Sequence, residues 1–171
     1  KTRVPLIIEL ENIPFDQQRQ TMFWTGERLP RFSGGKLDAT GNGAYLAEKA
    51  IQKWGPAMVE CVDLSRQWYR KNFPPLKARM ERREIELMKH ESIMDDFAKV
   101  ELIDGVPQVN KKRSKGKGGE QRHGDAAVAL VLMDARMKEI TGDVRAGDPV
   151  AVYETVIKRG GHGFAGVKGA F

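Results

Sequence analysis

The chain has 171 residues with 29 Lys+Arg against 23 Asp+Glu, a formal net charge of +6, and a mean hydropathy of −0.50. That length suits one domain able to bury roughly 70% of its unfolded surface without staples, and 40% hydrophobic with 30% charged residues excludes a disordered or fibrous chain. The longest apolar run, Ala126 to Met133, is far short of the ~18 residues a membrane helix needs, so no membrane partner is expected. A single cysteine, Cys61, excludes an internal disulfide framework, and with no signal-like segment a reducing intracellular compartment is expected. Cys61 reads as a core thiol. His90, His123 and His162 stand without a partner at ligand spacing, which argues against zinc.

In chain order, Val4, Leu6, Ile8 and Leu10 alternate with Pro5, Ile7, Glu9 and Glu11, a period of two that predicts a strand over residues 4–10, ended by Pro14. A helix is predicted from Phe15 to Trp24, with Asp16 as its cap. Gly26, Pro30 and Gly34-Gly35 break it, and a short strand follows at Lys36 to Ala39. After the turn Thr40-Gly41-Asn42-Gly43, the apolar positions Leu46, Ala47, Ala50, Ile51 and Trp54 predict a helix that stops at Gly55. Ala57 to Leu64 reads as an inner strand, so strand, helix and strand form a parallel βαβ unit.

Beyond that unit, a second helix is predicted from Pro74-Pro75 to about Met88, with Pro75 in its first turn. Val100 to Val109 is centred on Asp104-Gly105 and predicts a hairpin. Residues 111–117 hold five basic residues in seven and lead through Gly118-Gly119 to a helix from Asp125 to about Ile140, apolar nearly all round and therefore buried. Gly142 closes the domain, leaving a Gly-rich tail over 143–171 in which Val150 to Ile157 could add an edge strand. Trp24, Trp54, Trp68, Tyr69 and Phe73 are assigned mostly to the core, and Asp95-Asp96 to a helix end or the surface.

Three features could carry chemistry. Asp38 ends a parallel strand, where open α/β sheets bind ligands; its structural alternative is a turn or cap residue. Thr40 to Gly43 could instead cradle a phosphate at a helix start, although no established phosphate-loop pattern is present. Asp125 opens the most buried helix; its structural alternative is to complement the helix dipole. Two carboxylates at different element ends beside a cationic loop would suit Mg²⁺ or Mn²⁺ held against phosphodiester oxygens. The basic residues Lys111, Lys112, Arg113, Lys115, Lys117 and Arg122 would contact a double-stranded DNA backbone, or else form a solvated face. His123 reads as a loop residue.

Asn12-Ile13-Pro14-Phe15-Asp16-Gln17-Gln18, Leu37-Asp38-Ala39-Thr40-Gly41-Asn42-Gly43 and His123-Gly124-Asp125-Ala126-Ala127, in this order and spacing, resemble the nuclease domain of phage large terminase subunits, Mu-like prophage branch, over about residues 4–142. The resemblance implies an α/β, RNase H-like (retroviral integrase-like) fold: a mixed sheet flanked by helices that presents three acids to two divalent metals and cuts DNA during genome packaging. It implies that Asp38 is the second acid and Asp125 the third. It also implies the portal protein and the small terminase subunit as partners, in the cytoplasm of the bacterial host. The strand at residues 4–10 would be the third of the family's meander, which places the first acid upstream of Lys1 and leaves this stretch inactive by itself. No Walker-type loop occurs in the chain, so the family's ATPase motor is not expected within it. The other readings are a non-catalytic DNA-binding or assembly module with the same fold, and an α/β phosphate-binding enzyme built on Thr40 to Gly43.

Overall fold

A computed structural model describes residues 1–109, 114–115, 121–122 and 124–141, and these make an α/β structure. The elements run β1 (Thr2–Val4), α1 (Phe15–Arg28), β2 (Gly35–Asp38), α2 (Gly43–Trp54), β3 (Val59–Val62), α3 (Arg66–Glu81), β4 (Ile85–Leu87), α4 (Glu91–Phe97), β5 (Val100–Ile103), β6 (Val106–Val109), β7 (Ser114–Lys115), β8 (Gln121–Arg122) and α5 (Asp125–Thr141). Among the described residues the strands form four two-stranded ladders: β1 with β4 and β2 with β3 are parallel, while β5 with β6 and β7 with β8 are antiparallel.

The expected βαβ unit is present. Gly35 pairs with Val59 and Asp38 with Val62, and α2 lays Leu46, Ala47 and Ala50 into the interior. Gly55 ends α2 at φ +83 with its N–H on the Ile51 carbonyl, the left-handed backbone that glycine adopts without a Cβ penalty. The hairpin forms as its turn sequence predicts, Ile103 pairing with Val106 around Asp104 and Gly105 at φ +49 and +75; two positive φ values in succession suit the right-handed twist of the flanking strands.

The helix α5 is the structural centre. Val131, Leu130, Met133 and Met137 join Val4, Phe73 and Leu76 in one core cluster, while Met22, Leu46, Ala50 and Val59 form a second under α1 and α2, with Trp54 packed against it. Burial on nearly every side is what its apolar circumference required. A fully buried acid, Asp134, interrupts it and is neutralised by Arg79 from α3 and by Lys138 at 2.6 Å.

Several sequence expectations are corrected. The strand predicted over residues 4–10 covers only Thr2–Val4: Pro5 has no N–H to donate, and Leu6, Ile7, Ile8 and Leu10 are all half-buried instead of alternating. Glu9 and Glu11 therefore do not lie on an opposite strand face, and the placing of this segment as a third meander strand loses its basis.

The second helix begins at Arg66, not at Pro74-Pro75. Ser65 caps it by accepting the Trp68 N–H at 3.2 Å, and it continues through both prolines because Phe73 and Leu76 are held in the core. It ends at Glu81, so residues 85–87 pair with β1 instead of extending the helix to Met88.

The N-cap of α1 is Pro14, and Asp16 instead bonds Arg19 at 3.0 Å and Gln20 at 2.8 Å. Trp24 is 46% exposed, outside the core, and Cys61 is half-buried. Asp96, taken as a helix-end or surface acid, is 2% exposed. Residues 143–171, with the proposed edge strand at 150–157, lie outside the described residues.

Candidate functional site

A cleft of about 660 Å³ opens between α5, the end of β2 and the segment leading into α1. Asp38 and Asp125 both line it. They come from elements 87 positions apart in the chain, and the packing of α5 across β2 brings them together. Lys36 reaches Glu139 at 2.8 Å, and Arg136 Nη2 donates to the carbonyls of Ser33, Ala57 and Met58 at 3.2–3.3 Å. The last turns of α5 are thereby fixed to the segments entering β2 and β3, and its first turn shares the cleft with the residues at the end of β2. Asp125, Val128, Ala129 and Leu132 line that wall at spacings of three and four, one helical face.

The Asp38 carboxylate is held by its own turn. Its Oδ1 accepts the Thr40 backbone N–H at 2.8 Å and the Thr40 hydroxyl at 2.6 Å, and the Gly43 Cα packs so closely on the Asp38 carbonyl that no Cβ would fit. The Gly43 N–H bonds the Thr40 carbonyl at 3.0 Å and the Ala44 N–H bonds that of Gly41 at 3.3 Å. With the N–H groups of Thr40, Gly43 and Ala44 spent inside the turn, a phosphate cradle there lacks the donors it would need.

Asp125 is set by the start of α5. Gly124 takes φ +78, and a Cβ on it would strike the Val109 side chain. The buried Asp96 carboxylate accepts the Ala126 N–H at 2.9 Å. Nearby, burial pushes the Tyr69 phenol up to about 12, with the Asp38 carboxylate adding to the effect. The Cys61 thiol is also pushed up, by burial first and then by Glu60, which does not favour a thiolate nucleophile.

The donors on the cleft wall are oxygens: two carboxylates with the Thr40 hydroxyl and the Asn12, Gln18 and Asn42 amides around them. Such a set suits a hard divalent cation that keeps several waters, as Mg²⁺ does when one or two carboxylates hold it. Among the described residues there is no group of three or more His, Cys, Asp or Glu that could hold a metal.

Of the basic residues, Lys111, Lys112, Arg113 and Lys117 lie outside the described residues, as does His123. Lys115 and Arg122 belong to the short β7–β8 ladder, in which Ser114 pairs with Arg122 and Lys115 with Gln121.

Sequence reasoning missed Lys36, whose side chain is only 2% exposed and which lines the cleft while paired with Glu60 and Glu139. Its position two residues before Asp38, on the same strand face, was the available signal. It also missed that Asn12, Ile13, Phe15 and Gln18 form the opposite wall. Asn12 adopts φ +49, and the Gln18 amide holds the bend by donating to the Ile13 carbonyl at 2.9 Å.

No protein-family model matches the chain, and no solved structure matches it. Among characterised sequences, the chain is 44% identical over 126 residues to the probable terminase, large subunit gp28, of Escherichia phage Mu, a match covering 73% of this chain and 23% of that protein. It is 45% identical over 137 residues to the Mu-like prophage FluMu protein gp28 of Haemophilus influenzae, covering 80% of this chain and 27% of that protein. The chain is therefore a homologue, over most of its own length and about a quarter of theirs, of the Mu-type large terminase subunit sequence.

Proposed function

We propose that this chain is the nuclease portion of a phage DNA-packaging large terminase subunit, with an RNase H-like fold, and that it cuts double-stranded DNA with Mg²⁺ or Mn²⁺. The observation that carries this reading is that Asp38 and Asp125, picked out in the sequence as the second and third acids, line one cleft. The homology to the Mu subunit supplies the packaging context. By the same resemblance the partners are DNA, the portal protein and the small terminase subunit, in the cytoplasm of the bacterial host. No helix of the described residues is long and apolar enough to cross a membrane.

In this reading Asp38 and Asp125 hold the divalent ion against a scissile phosphate. When bound, that ion polarises the phosphodiester and lowers the pKa of a bound water. The protein's own part is positional. The Thr40 turn aims Asp38, the capped start of α5 aims Asp125, and the apolar Leu37, Leu46 and Leu132 limit water around them. The basic residues Lys111, Lys112, Arg113, Lys115, Lys117 and Arg122 would neutralise backbone phosphates without reading sequence.

A second reading, a DNA-binding or assembly module without catalysis, is favoured by the absence of a three-acid group among the described residues. Plasmid nicking in Mn²⁺ separates the two. It is run with the chain by itself and with a longer protein that contains it. Cutting by the longer protein, lost in both Asp38→Asn and Asp125→Asn, is the expected result; cutting that survives either change would overturn the assignment of that acid, and DNA binding without any cutting would favour the module.

A further inference from the structure

We propose that the Thr40 hydroxyl decides how Asp38 can bind a divalent cation, and so which cation the cleft prefers. The inference deepens the nuclease reading and rests on its assignment of Asp38 as a ligand. A carboxylate has about four lone-pair sites, two on each oxygen. At Asp38 both sites of Oδ1 are taken by one residue: the Thr40 N–H at 2.8 Å and the Thr40 O–H at 2.6 Å. Among the described residues no hydrogen bond or ion pair engages Oδ2. The nearest buried cation on the same strand face, Lys36, is occupied by Glu60 and Glu139.

Asp38 therefore offers the cleft one oxygen. A single-oxygen ligand fits Mg²⁺, which takes ligands at about 2.0–2.1 Å in near-octahedral geometry and keeps its waters. Ca²⁺ is larger, accepts six to eight oxygens and gains from carboxylates that bind through both oxygens. For Asp38 to bind that way, Oδ1 must give up one of its two donors. The backbone N–H is fixed by the turn, which Gly43 locks by its close approach to the Asp38 carbonyl. The hydroxyl is the donor that a substitution can remove while the turn stays closed. Thr40 is thus a positioning residue that keeps Asp38 a one-oxygen ligand and weights the site against Ca²⁺.

The test is competitive cation binding, read by the electron paramagnetic resonance of free Mn²⁺ as Mg²⁺ or Ca²⁺ displaces it from the chain. Thr40→Val keeps the shape and the N–H but loses the O–H, and it should improve Ca²⁺ binding relative to Mg²⁺ by about tenfold, the direction expected when a carboxylate gains a second ligating oxygen. Thr40→Ser restores the hydroxyl and should return the ratio to the parent value. An unchanged ratio in Thr40→Val, with Mn²⁺ binding still abolished by Asp38→Asn, would overturn the role of Thr40 and leave the cation site standing. Mn²⁺ binding that survives Asp38→Asn, or none by the parent chain at millimolar Mn²⁺, would overturn the assignment of Asp38 as a ligand and this inference with it.

Discussion

The carboxylate of Asp96, on α4, accepts the backbone N–H of Ala126 in the first turn of α5 at 2.9 Å. A buried acid from one helix thereby satisfies a donor that the start of another would leave open, and its charge complements the positive end of the helix dipole. Asp96→Ala is expected to cost about 1–3 kcal/mol in urea unfolding, the range for orphaning a buried group and losing a cap. Asp96→Asn keeps an acceptor and should cost less; equal losses would show that the cap contributes little.

Arg79 bridges three elements, donating to Asp134 on α5 and, at 2.7 Å, to the Thr2 hydroxyl on β1. Because Asp134 is fully buried, Arg79→Met should destabilise by about 3 kcal/mol, the low end for breaking a buried pair since Lys138 still partners the acid. Adding Asp134→Leu should recover part of that loss, since two apolar groups need no charge compensation. A double variant weaker than the single would argue that the acid has a further essential partner.

Gly34 lies at φ +114, and a Cβ there would overlap the Met58 carbonyl and the Arg136 guanidinium. Gly34→Ala should therefore combine backbone strain with a displaced β2–β3 ladder and cost at least about 2 kcal/mol. Gly55, at φ +83 with nothing near its Cβ position, should lose only the conformational share, about 1 kcal/mol. Thermal melts of the two alanine variants give the comparison, and equal losses would refute the steric account.

The Tyr69 phenol is pushed from its ordinary value of 10.0 up to about 12 in the folded chain. Between those values the unfolded chain gives up the proton while the folded chain keeps it, so the unfolded state binds fewer protons and stability falls as pH rises. The stabilisation is fully present below about pH 10 and is lost through about pH 12. Tyr69→Phe should show a shallower decline across this window in urea titrations, and a parallel decline would show that the phenol ionises normally.

For the basic segment, neutralising Lys111, Lys112, Arg113, Lys115 and Lys117 should weaken duplex binding and flatten its salt dependence, by about 0.9 in the slope of log K against log[salt] for each lost phosphate contact. Fluorescence anisotropy with a labelled duplex at several salt concentrations reads both. An unchanged slope would make these residues a solvated face.

Local chemistry made some of this legible from the residues. Asp104-Gly105 specifies its turn because few residues tolerate two positive φ values in succession, and the apolar circumference of α5 has no stable place except the interior. The strand–helix–strand order over residues 35–62 likewise follows from its periods and its glycines. Pro74 and Pro75 misled because a proline's local cost is small beside the burial of Phe73 and Leu76, which carries the helix through them. Residues 4–10 misled because alternation of side chains says nothing about a partner for the backbone, and beyond Val4 the expected strand is absent. Asp38 and Asp125 stand out one at a time by position in their motifs, yet their meeting in one cleft depends on Arg136 and Lys36 fastening α5 across β2. Asp96 carries no local mark of burial at all. Only the packing of α4 against α5, which removes water from that carboxylate and supplies the Ala126 N–H in its place, decides what it does.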